Sequence, residues 1–361
     1  MSILFLRRKG LGLGSVLGMK SYLMNSGDSI TANVYTTNHH KWRDQLDTST
    51  RLVVRWGVTT PMSTLPGLES INTGSMKVYN KAEAISRVNN KSQFRELLLT
   101  NDTTFGLVPT STMLTTGLNP TILSEDYPVI VRPNRHAQGR NLWVANNQTE
   151  LASIFRRHGR NKLAQGGYIS KLIPKQKEYR VYVFDGRVAS VAEKIPHDPN
   201  QVAWNVAQGG EFRVVRWDEW PLEAIRASVE CFRLSGLNFG GVDVIISDQS
   251  IPYVIEINSA PSLPALSDGS ISYRQSAMAK CFAYAYNKIV AGETTTWMEP
   301  SGYDNWRNVI HPALNHNAIL NQLEEAATRL FFSKQRAVKL RRRKINTTER
   351  KRITGDKVDN G

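Results

Sequence analysis

The feature that most constrains this chain is a set of polar residues inside an apolar hairpin, GVDVIISDQSIPYVIEIN, at residues 241–258. The pattern predicts two strands joined by a short turn, yet Asp243, Glu256 and Asn258 stand among valines and isoleucines. Burying a carboxylate is costly unless a cation or hydrogen-bond donors compensate it. We therefore expect positive charge to converge on this hairpin.

Alternate residues of a strand share a face, so Glu256 and Asn258 should point the same way while Ile255 and Ile257 face the core. The turn then brings Asp243 beside them on the neighbouring strand. Two carboxylates and an amide oxygen are ligands that Mg²⁺ prefers, and Mg²⁺ completes its octahedron with water and nucleotide phosphates. The competing interpretation is a pair of edge-strand acids that face solvent.

Charged residues elsewhere in the chain could serve a magnesium–nucleotide site. Arg132 ends the strand PVIVRP, ahead of the loop NRHAQGR with its single glycine. Glu178 and Arg180 are two residues apart in KEYRVYVF and therefore share a face. There Glu178 could accept ribose hydroxyls and Arg180 could reach a phosphate, although such a pair is also common on protein surfaces.

Hydrophobic periodicity predicts hairpins that alternate with single helices, which is typical of an α+β arrangement. Helix 149–159 should begin at a Thr149 cap and end at Gly159, and Asp185-Gly186 should form a tight hairpin turn. Strands are predicted at residues 51–57, 128–133 and 141–146, and a strand or hinge at 168–174. Further helices are predicted at 91–99, 219–236, 271–290 and 318–332.

The chain has 361 residues, enough for two or three packed subdomains. No run approaches the ~18 apolar residues of a membrane span. Cys231 and Cys281 form no metal or redox spacing, which favours a reduced, cytoplasmic protein. The basic N-terminus precedes a mildly apolar run without a cleavage pattern, so export is not expected.

Positive charge is concentrated near the C-terminus. Of the net charge of +15, residues 334–352 contribute +9, with ten Lys or Arg against one Glu, and the rest of the chain carries +6. This pattern predicts a helix end or disordered arm that contacts nucleic acid or another acidic surface, or else a solvated tail that aids solubility.

A glycine-rich stretch, KGLGLGSVLG at residues 9–18, is the obvious candidate for a phosphate-binding loop. It fits neither G-x-G-x-x-G nor G-x-x-x-x-G-K-[ST], and it follows no strong strand pattern. We interpret it as a flexible turn that enters the first helix.

Over residues 51–263 the chain resembles the ATP-grasp superfamily, close in pattern to its glutamate-ligase-like branch and to ATP-grasp proteins encoded by bacteriophages. The resemblance is carried by RLVVRWG, PVIVRPNRHAQGRNLWV, YISKLIP, KEYRVYVFDGRVASVAEK, NVAQGG and GVDVIISDQSIPYVIEINSAPSL. The last motif is the most specific, because the family's metal-binding carboxylates and amide fall on Asp243, Glu256 and Asn258.

The resemblance implies a role for each matching residue. By this resemblance, Arg132 stands where a phosphate-binding lysine is usual, and the backbone of residues 171–173 forms the hinge that binds adenine. Glu178 is the acid that binds ribose, and Arg180 helps stabilise the reacting phosphates. The assignments are nucleotide binding for Arg132, Lys171, Leu172, Ile173, Glu178 and Asn205, catalysis for Arg180 and Lys194, and metal binding for Asp243, Glu256 and Asn258. Gly209-Gly210 matches a further family segment.

Three positions depart from the family pattern. Arg132 replaces a point charge with a planar fork, and Ala203 stands where the family has an additional arginine. Lys194 matches a family cation in order, but an ideal two-residue turn at Asp185-Gly186 would place it on the opposite face from Arg180. Either a bulge intervenes or Lys194 is structural.

The fold implied by the resemblance is α+β, with two ATP-grasp subdomains that clamp the nucleotide. We expect an N-terminal α/β domain at residues 1–120, an ATP-grasp domain at 121–292, and a C-terminal helix and basic tail at 293–361. Within the ATP-grasp domain, the lid would span about 121–168 and the catalytic subdomain about 169–292.

The activity implied by the resemblance is ATP-dependent carboxylate–amine ligation through an acyl phosphate. It would require ATP with one or two Mg²⁺ ions, or Mn²⁺ in their place, and peptide or small-molecule substrates. Phage-type resemblance would place the protein in the cytoplasm of a host cell. Two alternatives are an ATP-grasp kinase that acts on a small molecule, and a nucleic-acid-associated or virion structural protein that uses its basic tail.

Overall fold

The first sheet of the computed structural model is parallel and is built from the N-terminal strands. Its strand order is β2-β1-β3-β4, with β1 at Ser2–Arg7, β2 at Thr31–Thr36, β3 at Thr50–Trp56 and β4 at Lys77–Tyr79. Helix α1 (Leu13–Asn25) connects β1 to β2. This sheet and its helices confirm the predicted N-terminal α/β domain.

The structure describes most of the chain ahead of the C-terminal segment. The described residues are 2–27, 30–46, 49–60, 76–101, 108–109, 111–114, 122–133, 141–159, 163, 165–198, 201–204 and 209–314. Asn205, the loop NRHAQGR, the helix predicted at 318–332 and the basic segment 334–352 lie outside these ranges. Within them, no helix combines the length and apolar character needed to cross a membrane.

The glycine-rich loop follows a buried strand, contrary to the sequence-based expectation. The first five residues of β1 are buried, and the loop then enters α1 at Gly12, whose φ is 63°. A Cβ at Gly12 would lie 2.4 Å from the indole nitrogen of Trp56. The glycine therefore allows close approach of the loop to β3.

Two helices lead from the first sheet to the second. Helix α2 spans Ala82–Asn89 and α3 spans Lys91–Thr100, with Asn90 capping α3 by accepting from the backbone of Gln93. The amphipathic prediction for residues 91–99 is confirmed, since Phe94 and Leu98 are buried.

The second sheet is antiparallel, in the order β5-β8-β6-β7. Its strands are β5 (Ser111–Met113), β6 (Val129–Arg132), β7 (Trp143–Ala145) and β8 (Tyr168–Lys171). Strand β5 thus comes from within the segment expected to form the N-terminal domain. Helix α4 (Gln148–His158) covers the sheet, and its cap is Asn147, not Thr149, because Asn147 accepts from the backbone of Glu150.

The third sheet is antiparallel and five-stranded, in the order β11-β10-β9-β12-β13. Its strands are β9 (Lys175–Phe184), β10 (Arg187–Ile195), β11 (Glu211–Val214), β12 (Phe239–Ser247) and β13 (Pro252–Asn258). The helices of this region are α5 (Leu222–Ser235), α6 (Tyr273–Val290) and α7 (Trp306–Val309). Helix α5 ends at Gly236 in the left-handed region, as predicted.

A β-bulge shifts the phase of β10 relative to β9. The turn at Asp185-Gly186 has two residues, both with positive φ, and pairs Arg187 with Phe184. Beyond it the register shifts between Val188 and Ser190, so Ala192 faces Arg180. Lys194 is two residues beyond Ala192 and shares that face. The bulge therefore resolves the face assignment of Lys194 that the sequence left open.

A second bulge lies in the hairpin that opened the sequence analysis. Asp243 pairs with Glu256, but Val244 already pairs with Val254, so Ile255 is the extra residue on β13. Val254 and Ile257 are buried while Ile255 is only partly buried. The expectation that Ile255 faces the core was wrong, because the bulge turns the strand at that residue.

The N-terminal and third sheets share one apolar core. Trp56 at the end of β3 stacks on Phe239 of β12 with ring centroids 5.1 Å apart, and Phe5 meets Phe282 of α6. A polar contact adds to this interface, since the Tyr79 hydroxyl donates to Asp185 at 2.6 Å. The packing fixes the carboxyl ends of β1 and β3 beside the third sheet.

Burial raises the pKa of Asp185 to about 6, although hydrogen bonds from Tyr79 and Asn238 lower it in part. Since the folded value exceeds the unfolded value of 3.8, the native state binds the proton more tightly. The resulting stabilisation is complete below about pH 3.8 and is lost as the pH rises through about 6.

We predict that raising the pH from about 4.5 to about 7.5 lowers the free energy of unfolding of the wild type by about 2 kcal/mol more than that of the Asp185→Asn variant. Urea unfolding of both proteins across that range measures the difference. A difference that does not vary with pH would show that Asp185 titrates normally in the folded protein.

Candidate active site

Three charged side chains form a row across neighbouring strands of the third sheet. Arg180 of β9 pairs with Asp243 of β12, which pairs in turn with Glu256 of β13. Cross-strand partners share a face, so all three side chains project from the same side of the sheet. Arg180 holds Asp243 through two parallel hydrogen bonds, Nε to Oδ1 at 2.6 Å and Nη2 to Oδ2 at 2.7 Å.

Lys194 joins this row because of the bulge in β10. Its ammonium lies 3.0 Å from Asp243 Oδ2 and 2.5 Å from Glu178 Oε1. Lys175 contacts the other oxygen of Glu178 at 2.6 Å. Asp243, Glu178 and Lys194 are all more than nine-tenths buried, so the structure brings these predicted residues into one cluster that is largely shielded from solvent.

The electrostatics of the cluster explain why a buried Asp243 stays ionised. Burial opposes its ionisation, but Arg180 and Lys194 outweigh that effect and hold the pKa of Asp243 below its usual value. Burial likewise opposes the charge on Lys194, but Asp243 and Glu178 raise its pKa overall. The positive charge expected from the sequence is therefore present, and it is supplied by side chains of the protein itself.

Lys175 has the opposite shift. Burial lowers its pKa, and the attraction of Glu178 offsets only part of that effect. Its ammonium also donates to the carbonyl of Val202 at 2.7 Å and lies 4.3 Å from the centroid of the Trp204 ring. Lys175 is thus held by three separate groups beside the acid assigned to ribose.

Glu256 and Asn258 complete the predicted metal-binding set. The Asn258 amide nitrogen donates to Glu256 Oε1 at 3.0 Å, which leaves the amide oxygen as its ligand atom. Lys91 approaches from the start of α3, with its ammonium 3.7 Å from Glu256 Oε2 and 3.1 Å from the carbonyl of Ile257.

The donor set fits Mg²⁺ in kind. Among the described residues, no group of three or more His, Cys, Asp or Glu side chains could hold a metal ion. The candidate set therefore has only two carboxylates, those of Asp243 and Glu256, and its third ligand is the amide of Asn258. Both oxygens of Asp243 already accept hydrogen bonds, and a metal ion there would use the remaining lone pairs. Mg²⁺ is commonly bound by one or two carboxylates together with substrate phosphates.

The predicted hinge lies at the junction of the second and third sheets. Lys171 ends β8 and pairs with Val129, and the Leu172 backbone N–H donates to the carbonyl of Pro128 at 2.9 Å. That bond removes the Leu172 N–H from the donors available to adenine. The predicted adenine contact of Ile173 stays a prediction.

Arg132 lies apart from the row, at the end of β6 in the second sheet. Its Nε is buried and has no hydrogen-bond acceptor among the described residues. Asn205 lies outside those residues, whereas Gly209 is described and has a φ of 85°. The nucleotide-binding roles of Arg132 and Asn205 stay predictions.

Sequence reasoning missed Lys91 and Lys175. Lys91 is the first residue of an ordinary amphipathic helix, and only the packing of α3 against β13 brings it to Glu256. Lys175 is three residues from Glu178 on β9, a spacing that places side chains on opposite faces of a regular strand. The register shift opposite Ile246 and Ser247 brings the two together, so no signal in the sequence indicates this pair.

Removing the ammonium of Lys194 should destabilise the fold. Lys194→Met leaves Glu178 and Asp243 buried with fewer cations, and breaking a buried ion pair costs about 3–5 kcal/mol. Urea unfolding in EDTA, without nucleotide, measures the effect. Lys288→Met is the control: its pair with Glu293 is partly exposed, so we expect a change below about 1 kcal/mol. Equal effects of the two substitutions would contradict the proposed electrostatics.

Comparison with known proteins identifies the fold. The family model described as the RimK-like ATP-grasp domain matches residues 108–275. A search of curated proteins found no significant match.

Among solved structures, the D-alanine–D-alanine ligase of Bacillus anthracis in complex with ATP has a TM-score of 0.53 at 17% identity, covering 81% of this chain and 96% of that one. The ATP-grasp ligase PsnB with minimal precursor, Mg and ADP has a TM-score of 0.52 at 16% identity, covering 80% and 96%. The macrocyclase MdnC bound with precursor peptide MdnA, from Microcystis aeruginosa MRC, has a TM-score of 0.53 at 13% identity, covering 79% and 100%. At these identities the likeness concerns the fold, which is the ATP-grasp fold, and the family match identifies a RimK-like ATP-grasp domain at residues 108–275.

Proposed function

We propose that this chain is an ATP-dependent ligase that joins a carboxylate to an amine through an acyl phosphate. The observation that carries the proposal is the row of Arg180, Asp243 and Glu256, with Lys194 brought onto the same face by the bulge in β10. Cations and carboxylates buried together in this way suit a reaction in which negative charge moves between oxygens. The known structures with this fold include ligases in complex with ATP or with Mg and ADP.

In the proposed site the nucleotide lies between the second and third sheets. Asp243, Glu256 and Asn258 would hold Mg²⁺, which when bound would neutralise phosphate charge and orient the phosphoryl group for in-line transfer. Glu178 would accept the ribose hydroxyls, and Arg132 would contact phosphate oxygens from the second sheet. The residues of the hinge, 171–173, would contact adenine through the backbone groups that remain once the Leu172 N–H has paired with Pro128.

The first step transfers the γ-phosphoryl group. An oxygen of the substrate carboxylate attacks the γ-phosphorus, the bond to the β-phosphate oxygen breaks, and ADP leaves. Arg180 and Lys194 stabilise the charge on the oxygens of the transferring group, because their guanidinium and ammonium donors are fixed by Asp243 before the substrate arrives. Their positions therefore need little rearrangement during the reaction.

In the second step the amine nitrogen attacks the acyl carbon, the carbon–phosphate oxygen bond breaks, and inorganic phosphate leaves with its bonding electrons. The amine proton passes to solvent or to phosphate, so no nucleophilic serine or cysteine is required. The same cations stabilise the tetrahedral oxyanion. The site must exclude water in this step, since an acyl phosphate hydrolyses readily.

A peptide is a reasonable substrate class. Among proteins that share this fold, the structure of PsnB is of a complex with a minimal precursor and that of MdnC is of a complex with a precursor peptide. We propose that one reacting group of this chain's substrate pair belongs to a peptide or to an amino acid. The proposed setting is the cytoplasm, where Mg-ATP is available.

Replacing one proposed metal ligand should abolish turnover. Glu256→Gln keeps the shape of the side chain but removes one negative charge, so carboxylate-dependent ADP release with Mg²⁺ should fall by about 100-fold or more. Glu230→Gln is the control, since Glu230 lies on α5 and pairs with Arg226. Coupled measurement of ADP with a panel of amino acids and short peptides tests both proteins.

Two outcomes would revise the proposal. Undiminished ADP release by Glu256→Gln would remove Glu256 from the mechanism. If the wild type forms ADP but mass spectrometry detects no amide product, the protein would be a kinase with the same fold.

A further inference from the structure

Arg95 is a buried arginine in the middle of α3 that the proposed mechanism does not use. It is 5% exposed, and it lies one helical turn after Lys91, so the two side chains leave the same face of the helix. A buried guanidinium is costly unless its donors are bonded. The acceptors that satisfy those donors therefore determine where Arg95 can lie.

One side of the guanidinium serves the outer edge of β13. This strand is the last of the third sheet, and in the described part of the chain no strand pairs with its outer edge. Carbonyls on such an edge need donors from elsewhere. Arg95 Nη2 donates to the carbonyl of Ile255 at 3.1 Å, and Lys91 Nζ donates to that of Ile257 at 3.1 Å. Two side chains of α3 thus bind the carbonyls on either side of Glu256.

The carbonyl that Arg95 binds belongs to the bulge residue of β13. Ile255 is the extra residue on this strand, and its position in the bulge lets Glu256 pair with Asp243. If the extra residue were Glu256 instead, Ile255 would pair with Asp243 and Glu256 would leave the charged row. The bond from Arg95 therefore acts at the residue that decides whether a proposed metal ligand faces the site.

The other side of the guanidinium contacts the second sheet. Arg95 Nη1 donates to the carbonyl of Pro109 and to Ser111 Oγ at the start of β5, both at 3.4 Å. The guanidinium carbon also lies 4.7 Å from the centroid of the Tyr168 ring on β8. Tyr168 is the cross-strand partner of Arg132, the proposed phosphate-binding residue. One guanidinium therefore links the sheet that would bind phosphate to the strand that would bind the metal ion.

The backbone on both sides of this link is held in place. Phe94 and Leu98, which flank Arg95 on α3, are buried. In the second sheet, Ser111 Oγ donates to the carbonyl of Pro109 at 2.6 Å, so the two acceptors of Nη1 are joined to each other. Hydrogen bonds weaken steeply when their geometry is distorted. The guanidinium therefore keeps all its contacts, and holds the bulge firmly, only while the second sheet lies in this position.

We propose that Arg95 is a positioning residue that couples metal binding to nucleotide binding. The inference rests on the proposed function and names a residue that acts through Glu256 and not on the ligands themselves. By holding the carbonyl of Ile255, Arg95 keeps Glu256 beside Asp243, where Mg²⁺ would bind. By its contacts with the second sheet, it makes that arrangement depend on the sheet that would hold the nucleotide phosphates. Replacing residues that orient metal ligands typically lowers metal affinity by about 10- to 100-fold.

The coupling is measured by calorimetric titration of the full-length protein with ADP, once in EDTA and once in excess Mg²⁺. We expect Mg²⁺ to tighten ADP binding by the wild type, and Arg95→Met to reduce that tightening about tenfold. Affinity for ADP in EDTA should change by less than about twofold, because Glu256 acts on the nucleotide only through the metal ion. Arg95→Lys, whose ammonium lacks the two-sided reach of a guanidinium, should lose part of the tightening.

Arg87→Met is the matched control. Arg87 lies on α2, and its Nη1 also donates to backbone carbonyls, those of Leu234 and Ser235 at the end of α5, both at 3.3 Å. Helix α5 carries none of the proposed site residues, so tightening by Mg²⁺ should match the wild type. Thermal unfolding shows whether each variant is folded at the titration temperature. If Arg95→Met is not folded, Arg95→Lys decides, and tightening equal to that of the wild type would contradict the inference.

Two results would overturn the inference alone: full tightening by Mg²⁺ in Arg95→Met, or an equal loss of tightening in Arg87→Met. Either result, with Mg²⁺-dependent ADP binding by the wild type, would leave the ligase proposal standing. A wild type that binds no ADP, or binds it equally with and without Mg²⁺, would instead count against the proposed function and overturn the inference with it.

Discussion

The candidate active site depends on one buried carboxylate held between two protein cations. Asp243 is bound by the fork of Arg180 and by the ammonium of Lys194, and its pKa is lowered despite burial. Because Asp243 fixes both cations, the donors that would face a phosphoryl group are oriented by the fold before any ligand binds. This is the electrostatic preorganisation that phosphoryl and acyl transfer require.

That arrangement depends on a local irregularity of the backbone. With an ideal hairpin, the side chain of Lys194 would lie on the other face of the sheet from Arg180. The bulge near Ala189 shifts the register by one residue and places both cations over Asp243. Sequence patterns identify strands and tight turns well, and Asp185-Gly186 is a strong turn signal. They do not reveal a single extra residue inside a strand.

The same limit explains what could and could not be predicted. Asp243, Glu256 and Asn258 could be singled out as candidates because charged and polar residues within apolar strands conflict with ordinary burial, and that conflict is visible in the sequence. Lys91 was not, because its role follows from how α3 packs against β13, a tertiary contact with no local signature. The cap of α4 was misassigned because Asn147 and Thr149 are both good cap residues, and only the bond to Glu150 distinguishes them.

The charge balance of the cluster bears on whether metal ions must accompany the nucleotide. Its acids are Glu178, Asp243 and Glu256, and its cations are Lys91, Lys175, Arg180 and Lys194. One surplus positive charge cannot neutralise a triphosphate, which carries about four negative charges at neutral pH, so divalent cations are needed to bring the phosphates close to Asp243 and Glu256. The buried acids therefore do two things. They hold the protein's own cations in place without a ligand, and they supply the oxygens through which Mg²⁺ would join the nucleotide to the sheet.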